Sequence, residues 1–249
     1  QVCHRFYQKE ARLMKTILIT GATSGIGEAL ANHAASRGYQ VIACGRNQEK
    51  LDKLAKHQNI QPLQFDVTDE QATQSALADV RFDIAVLNAG TCEYVDLPVF
   101  EPDMFRRVLE VNFFGIINCV SALLPNCQAG NQLVIIDSMA RLFPFTRSQA
   151  YGASKAAVHY FTQSMKIDLK SKGVIVQSVS PGFVETPLTD KNDFEMPMKI
   201  TAQEAAESLL KGIIKQQSNI YFPTVFGLIL RTLCRLPGRL QVWLSSKLQ

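Results

Sequence analysis

The stretch that decides the fold reads Thr20-Gly21-Ala22-Thr23-Ser24-Gly25-Ile26-Gly27, and it directly follows the apolar run Thr16–Thr20. Apolar residues at helical spacing come next, over residues 27–37. A strand, a glycine-rich turn and a helix in this order predict an anion site, because glycine permits close backbone approach and a helix N-terminus offers free N–H groups. A plain glycine-rich turn is the alternative. The G-x-x-x-G-x-G spacing is not that of a nucleotide-triphosphate P-loop, since no Gly-Lys-Ser/Thr follows it.

Short apolar runs rich in β-branched residues alternate with helical patterns along the rest of the chain. Runs of this length fit strands that are buried on both faces. Because strands joined by helices imply right-handed crossovers, we expect an α/β fold with one doubly wound parallel sheet of about seven strands and helices on both faces. Strands are predicted at residues 16–20, 40–44, 62–65, 84–87, 133–137, 174–179 and 220–222, and helices at 27–37, 47–57, 69–78, 102–124, 150–172 and 202–215.

No linker, repeat or low-complexity tract divides the chain, so we expect a single domain. Met14 immediately precedes the first predicted strand, and the preceding residues lack the apolar stretch of a secretory signal. We therefore expect an N-terminal extension over residues 1–13, the main body over 14–223, and a tail of the same domain over 224–249.

The composition of the 249 residues is that of a globular protein, with 47% hydrophobic and 19% charged residues. The net charge of +4 lies in residues 219–249, which contain four basic residues and no acidic one. A nucleic-acid binder would spread many more basic residues over one face, and the apolar run at 224–230 is far shorter than a membrane span. The six cysteines form no C-x-x-C pair, which predicts a reducing compartment and no structural metal.

Tyr151 and Lys155 lie four residues apart in a predicted helix and therefore on one face of it. An ammonium beside a phenol favours the phenolate, so we expect Lys155 to lower the pKa of Tyr151 and to make it a proton donor or acceptor near neutral pH. The alternative is that Tyr151 and Lys155 are an ordinary pair of side chains on the protein surface. Ser138 ends a predicted strand, where open α/β sheets place their ligands, and its hydroxyl could stabilise negative charge on a substrate oxygen.

These motifs together resemble the short-chain dehydrogenase/reductase family, including the 13 residues that separate Ser138 from Tyr151. The resemblance extends over about residues 15–223 and implies a Rossmann-like fold. It implies four catalytic residues, with Asn112 holding a helix distortion and a water in a proton relay. Two positions depart from the family pattern, since Leu87 stands where Asn is usual and Asp137 where Ser is common. The implied catalytic residues are Asn112, Ser138, Tyr151 and Lys155.

The resemblance also implies a nicotinamide cofactor that lies across the carboxyl ends of the strands. By resemblance, Asp66-Val67 contact the adenine, Asn88-Ala89-Gly90 support the sheet and the adenosine ribose, and the segment after the sixth strand holds the nicotinamide amide. The implied cofactor-binding residues are Gly21, Ser24, Gly25, Ile26, Gly27, Arg46, Asp66, Val67, Asn88, Ala89, Gly90, Tyr151, Lys155, Pro181, Gly182, Val184 and Thr186.

The sequence after the second strand, Cys44-Gly45-Arg46-Asn47, predicts which nicotinamide cofactor is preferred. Dinucleotide folds that prefer NAD place an acidic residue there to bind the ribose 2′-hydroxyl. This chain instead has Arg46, whose guanidinium suits a 2′-phosphate by charge and by geometry. We therefore expect NADP(H) to be preferred. Dual use, with NAD(H) also accepted, is the alternative.

The expected function is reduction of a small apolar ketone or aldehyde with NADP(H), with Tyr151 as general acid. The segment 187–200 lies where the family carries its substrate lid, and its residues Leu188, Phe194, Met196 and Met198 are apolar. We weigh four alternatives: an NAD-linked alcohol dehydrogenase, an epimerase, a dehydratase and a non-catalytic cofactor-binding protein. Epimerases and dehydratases of this kind have a different glycine spacing, and a non-catalytic protein would have lost one of the four catalytic residues.

The tail combines apolar residues with Arg231, Arg235 and Arg239 at four-residue spacing and with Trp243, the only tryptophan of the chain. This pattern fits a helix that lies on a membrane surface. The alternative is packing on the body or on a second subunit. By resemblance we also expect a homodimer or homotetramer through the helices near 102–124 and 150–170. We expect a cytoplasmic protein, with membrane association through residues 224–249 as the second expectation.

Overall fold

A computed structural model of the chain describes residues 14–190 and 195–247. The expected N-terminal extension and Phe194 of the predicted lid lie outside the described residues. Within them, seven parallel strands form one sheet in the order β3-β2-β1-β4-β5-β6-β7. The strands are β1 Thr16–Thr20, β2 Gln40–Gly45, β3 Ile60–Gln64, β4 Ile84–Leu87, β5 Gln132–Ile136, β6 Ile175–Pro181 and β7 Asn219–Phe222.

Helices connect the strands, and two further helices form the tail. They are α1 Gly25–Ser36, α2 Gln48–Leu54, α3 Glu70–Leu77, α4 Pro102–Leu109, α5 Gly115–Leu123, α6 Gln149–Asp168, α7 Ala202–Ile214, α8 Thr224–Leu233 and α9 Gly238–Lys247. The expected doubly wound parallel sheet is confirmed.

The central strands are buried on both faces, because successive side chains of a strand point to opposite sides. Ile17 and Ile19 of β1 pack with α1 and α7, whereas Leu18 between them packs with α3 and α5. Both clusters consist mainly of fully buried aliphatic residues. This arrangement explains why the strands read as continuous apolar runs in the sequence.

The strand order reverses between β1 and β4. The chain runs outward from β1 through β2 to β3, and then returns to β4 on the other side of β1. The connections at the carboxyl ends of β1 and β4 therefore diverge and leave a crevice, which is where open α/β sheets bind their ligands.

The structure differs from the sequence-based boundaries at several ends. The strand predicted at 62–65 begins at Ile60, because Ile60 pairs with Val41 of β2. The helix predicted at 150–172 ends at Asp168, since a 3₁₀ turn follows it and Gly173 takes a left-handed conformation with φ of 69°. The predicted helix at 102–124 contains a π-helical turn, Glu110–Phe114, between α4 and α5.

Among the described residues, the stretch Pro102–Asn126 has the length and mean hydropathy of a membrane span. It packs against the sheet, where Ile116, Val120 and Leu123 belong to the hydrophobic core. Burial in the core therefore explains the apolar character of this stretch as well as a membrane-spanning helix would.

Candidate active site

The glycine-rich turn lies at the crevice, between β1 and α1. Gly21 and Gly25 have φ of 66° and 56°, a conformation that favours glycine. A Cβ on Gly27 would lie 2.2 Å from the Gly21 carbonyl oxygen, so α1 approaches the turn more closely than any side chain would allow. Ser24 at the start of α1 makes no side-chain capping hydrogen bond. The turn and the helix end therefore present backbone N–H groups that suit an anion.

Asn88 and Thr20 fasten the end of β4 to the end of β1. The Thr20 hydroxyl oxygen accepts from the backbone N–H groups of Asn88 and Ala89, at 3.0 and 3.1 Å. The Asn88 side-chain amide donates to the carbonyl oxygens of Thr20 and Gly21. Asn88 and Ala89 thus hold the glycine-rich turn in place.

Ser138, Tyr151 and Lys155 meet at the carboxyl end of β5. Ser138 is the second residue after β5, and its hydroxyl hydrogen-bonds with the phenol of Tyr151. Lys155 lies one turn further along α6, and its ammonium donates to the carbonyl oxygen of Ile136 at 3.1 Å. The Lys155 Nζ atom is 5.8 Å from the centre of the Tyr151 ring.

Asn112 lies behind these residues in the π-helical turn and is fully buried. Its side-chain oxygen accepts from the backbone N–H of Thr91 at 2.7 Å, and its amide donates to the Thr91 carbonyl and the Ser154 hydroxyl, both at 2.9 Å. The Ser154 hydroxyl in turn donates to the Tyr151 carbonyl. The π-turn therefore connects the loop after β4 to the first turns of α6.

Burial shifts the pKa values of Tyr151 and Lys155 in opposite directions. Desolvation raises the pKa of Tyr151 well above its usual value, and it lowers the pKa of Lys155 from 10.5 to about 8. The expected low pKa of Tyr151 is therefore not found for the protein groups alone, because desolvation of the phenolate dominates the net shift. The hydrogen bond with Ser138 opposes this rise. At neutral pH Tyr151 is thus a neutral proton donor beside a cationic Lys155.

Asp137, the departure noted in the sequence, is fully buried next to Ser138. Its carboxylate accepts hydrogen bonds from the hydroxyls of Ser178, at 2.7 Å, and Ser180. It also lies 3.2 Å from Nε of Arg141 and 2.8 Å from Nδ1 of His159. The charge of Asp137 therefore has partners from β6, from α6 and from the turn after Ser138.

A cleft of about 110 Å³ brings together many of the predicted site residues. Three of the four predicted catalytic residues line it, whereas Asn112 is not among the lining residues. Leu188 of the predicted lid also lines it, as do Thr91 and Thr189, which the sequence did not indicate. The predicted residues that line the cleft are Ile26, Asn88, Gly90, Ser138, Tyr151, Lys155, Pro181, Gly182, Val184 and Thr186.

Thr189 holds one wall of this cleft. Its hydroxyl donates to the Val184 carbonyl at 2.6 Å and accepts from the backbone N–H of Thr186 at 3.0 Å. The spacing in the sequence could have indicated this role, because a threonine hydroxyl often hydrogen-bonds to the backbone a few residues away.

Arg46, Asp66 and Val67 lie away from the catalytic residues, at the ends of β2 and β3. Arg46 is 72% exposed, and its guanidinium is 3.4 Å from the Asp66 carboxylate. Asp66 also accepts from the backbone N–H and the hydroxyl of Thr68. Val67 packs closely on Gly115, where an added Cβ would lie 2.7 Å from Cγ2 of the valine.

These observations fit the dinucleotide that the sequence predicts. Uncapped N–H groups lie at the glycine-rich turn, the exposed guanidinium of Arg46 lies at the end of β2, and the predicted catalytic side chains lie near the end of β5. Gly90 lies close to two of the predicted catalytic residues, because an added Cβ would lie 3.2 Å from Oδ1 of Asn112 and 3.5 Å from Nζ of Lys155.

Comparison with known proteins shows the family to which this chain belongs. The family model for short chain dehydrogenase matches residues 15–196. A serine 3-dehydrogenase of Agrobacterium fabrum is 35% identical over 207 residues, which cover 80% of this chain and 81% of that protein.

Two solved structures share the fold. A short chain dehydrogenase from Burkholderia cenocepacia in complex with NADP has a TM-score of 0.83 at 24% identity, covering 93% of this chain and 97% of the other. A short chain dehydrogenase/reductase from Burkholderia phymatum in complex with NAD has a TM-score of 0.78 at 22% identity, covering 88% and 92%. With the family match extending over most of the chain, this protein belongs to the short-chain dehydrogenase/reductase family, whose members are oxidoreductases that interconvert an alcohol and a carbonyl group with a nicotinamide cofactor.

Proposed function

We propose that this protein reduces an apolar ketone or aldehyde with NADP(H), with Tyr151 as the general acid. The observation that carries the proposal is the meeting of Ser138, Tyr151 and Lys155 in one cleft beside the glycine-rich turn. When bound, the nicotinamide supplies the hydride. The protein's own groups then bind the substrate oxygen and deliver the proton.

Each catalytic residue has a separate task in this proposal. The Ser138 hydroxyl orients the substrate oxygen, and the neutral Tyr151 phenol donates its proton to that oxygen as negative charge develops. Lys155 places a positive charge nearby and favours the phenolate that Tyr151 leaves behind. Asn112 fixes Thr91 and Ser154, and we propose that it connects Lys155 to solvent through a water.

Replacing Tyr151 with Phe tests the chemistry. The Tyr151→Phe change removes one hydroxyl and keeps the ring, so we expect kcat for reduction of a panel of apolar ketones and aldehydes to fall at least a hundredfold. NADPH affinity, measured by fluorescence titration, should change less than about threefold. Tyr39→Phe, at the half-buried tyrosine before β2, is the matched control. Activity that survives in Tyr151→Phe contradicts the assignment.

The preference for NADP(H) rests on the end of β2. Arg46 is exposed, and its single contact with the Asp66 carboxylate is long at 3.4 Å, so its guanidinium keeps donors that can bind a 2′-phosphate. No acidic residue follows β2 directly, where one would bind the ribose 2′-hydroxyl, and the Asp66 carboxylate nearby belongs to the end of the neighbouring strand. The Burkholderia cenocepacia structure contains NADP, which supports the proposal, and the Burkholderia phymatum structure contains NAD, which fits the alternative of an NAD-linked alcohol dehydrogenase.

Arg46→Ala separates the two cofactors. A charge-assisted hydrogen bond contributes about 1.5–3 kcal/mol, so NADPH should bind roughly 10- to 100-fold more weakly to the variant. NADH affinity should stay within about twofold. Lys53→Ala, at an exposed lysine of α2, is the matched control. Equal loss for both cofactors means that Arg46 does not bind the 2′-phosphate.

We also propose a homodimer or homotetramer formed through α4, α5 and α6, in the cytoplasm. Phe114 of the π-turn between α4 and α5 is 47% exposed in the single chain, and Tyr160 and Ile167 of α6 are 78% and 75% exposed, which supports an apolar contact there. Light scattering of Tyr160→Glu against the unmodified protein tests it, with a monomer expected for the variant.

A further inference from the structure

The tail is fixed to the body along one side only. Phe226 and Leu230 of α8 are buried against Met139 and Phe143, and Leu244 of α9 packs on the same cluster. Phe226 also touches the cleft wall, because a Cβ on Gly182 would lie 2.8 Å from its ring. The inner side of the tail is thus part of the fold, as the packing alternative expected.

Hydrogen bonds hold α9 against the end of α8. The Gln241 side-chain amide donates to the carbonyl oxygens of Cys234 and Leu236, at 3.1 and 2.8 Å. The Ser245 hydroxyl donates to the carbonyl oxygen of Pro144. The two tail helices therefore hold their exposed residues in fixed positions on the molecule.

The other side of the tail exposes apolar side chains. Of the fifteen large apolar side chains that are exposed in the described residues, six lie in the 24 tail residues. In α8 they recur at helical spacing, so they form one stripe opposite the buried Phe226 and Leu230. Of the exposed residues of α9, Val242 also borders a groove that α9 forms with the body. We call the six exposed residues the outer face of the tail: Val225, Leu228, Ile229, Leu240, Val242 and Trp243.

Positive charges accompany the outer face. Arg231, Arg235 and Arg239 are all exposed, and residues 219–249 contain no Asp or Glu. The guanidinium of Arg231 lies 5.0 Å from the centre of the Tyr221 ring. An apolar surface with a tryptophan and uncompensated arginines is complementary to lipid tails and anionic headgroups together.

We propose that the outer face of the tail, with Arg231, Arg235 and Arg239, docks this protein on an anionic lipid surface. A two-fold contact between copies through this face would set the arginines of both copies against each other without any acidic partner. A nucleic acid would match the charge but leave the six apolar side chains without partners. An anionic lipid surface satisfies both features, because its acyl chains receive the apolar side chains and its headgroups pair with the arginines.

Trp243 makes the test direct, because it is the only tryptophan and 56% of it is exposed. The purified full chain is titrated with vesicles of phosphatidylcholine containing 30% phosphatidylglycerol, and in parallel with pure phosphatidylcholine vesicles. Docking should shift the emission of Trp243 to shorter wavelength with the anionic vesicles alone. Raising the salt concentration from 0.1 to 0.5 M should weaken the binding, because added ions screen the arginines.

Two sets of variants separate charge from apolar contact. Each basic residue near an anionic surface contributes roughly fivefold to partitioning, so R231Q/R235Q/R239Q should bind on the order of a hundredfold more weakly. V225S/L228S should also lose binding, as read by vesicle flotation. The matched controls are K170Q/K211Q/K215Q and Ile214→Ser, at exposed positions outside the tail. Thermal melting checks that every variant folds.

The outcomes decide the proposal in either direction. Binding to anionic vesicles that both tail variants lose and both controls keep supports it. Absence of binding to the anionic vesicles overturns it. Equal binding to anionic and neutral vesicles also overturns it, if the arginine variant binds as strongly as the unmodified protein. A shift of Trp243 emission with protein concentration alone, accompanied by a larger mass in light scattering, also overturns it, because the outer face is then a contact between copies.

Discussion

Lys155→Met should make the protein more stable at pH 7 while removing its activity. The Lys155 side chain is almost completely buried, and desolvation lowers its pKa from 10.5 to about 8. A difference of about 2.5 units corresponds to roughly 3 kcal/mol for keeping this ammonium charged inside the fold. Removing it also removes the hydrogen bond to Ile136, which costs about 1 kcal/mol. We therefore expect a gain of about 2 kcal/mol in the free energy of unfolding.

The pH dependence of this stability difference is a second test of the reasoning. Between pH 8 and about 10.5 the unfolded chain binds a proton at Lys155 that the folded chain has lost, so the stability of the unmodified protein rises relative to the variant. The difference in unfolding free energy between Lys155→Met and the unmodified protein should change sign in this range. Above it Lys155 is neutral in both states, so the variant differs only by the lost hydrogen bond and is the less stable of the two. Subtracting the variant removes the contribution of the cysteines and Tyr151, whose raised pKa values lower the stability at high pH.

Urea denaturation at pH 7.0, 8.5 and 10 measures this difference, with unchanged m-values as the check on two-state unfolding. Lys170→Met, at an exposed lysine after α6, is the control and should show no such trend. A variant that is less stable than the unmodified protein at pH 7, or a difference that stays constant with pH, would refute the reasoning. Either result would mean that the ammonium of Lys155 is better solvated or better paired than its contacts indicate.

Two further changes test the packing behind the cleft and the glycine-rich turn. Asp137→Asn leaves Arg141 buried without its carboxylate and should cost about 3–5 kcal/mol of unfolding free energy, part of which the second change Arg141→Met should restore. The control Asp168→Asn, at the exposed end of α6, should change the unfolding free energy by less than about 0.5 kcal/mol. An equally small change for Asp137→Asn would contradict a charged network around Asp137. Gly27→Ala places a Cβ 2.2 Å from the Gly21 oxygen, so the turn must shift and NADPH should bind at least tenfold more weakly in fluorescence titration. Gly238→Ala, where an added Cβ meets nothing within 4 Å, is its control and should bind NADPH as the unmodified protein does.

Local patterns in the sequence were sufficient for the sheet and for the positions of its strands. The apolar runs of β1, β4 and β5 are short and continuous because helices cover both faces, and this periodicity is legible without tertiary information. The boundaries at Ile60 and Asp168 were missed, since a strand ends where its neighbour stops pairing and a helix ends where its last turn finds a cap. Both depend on residues that are distant in the sequence or on backbone conformation.

The catalytic residues were predicted from spacing and resemblance, and their assignment remains a proposal. The four-residue spacing of Tyr151 and Lys155 fixes their common face by helical geometry alone. Their environment was not predictable, because the opposite pKa shifts follow from burial, and burial is a property of the packed chain. For the same reason the partners of Asp137 come from segments up to 43 residues away.

The sequence by itself therefore determined the sheet, the glycine-rich turn and the order of the motifs, because each depends on residues that are near one another in the chain. Only the tertiary structure decided the π-turn that holds Asn112, the network around Asp137 and the split of the tail into a packed side and an exposed side. These features arise from contacts between segments that are distant in the sequence, and such segments meet only after the chain has folded.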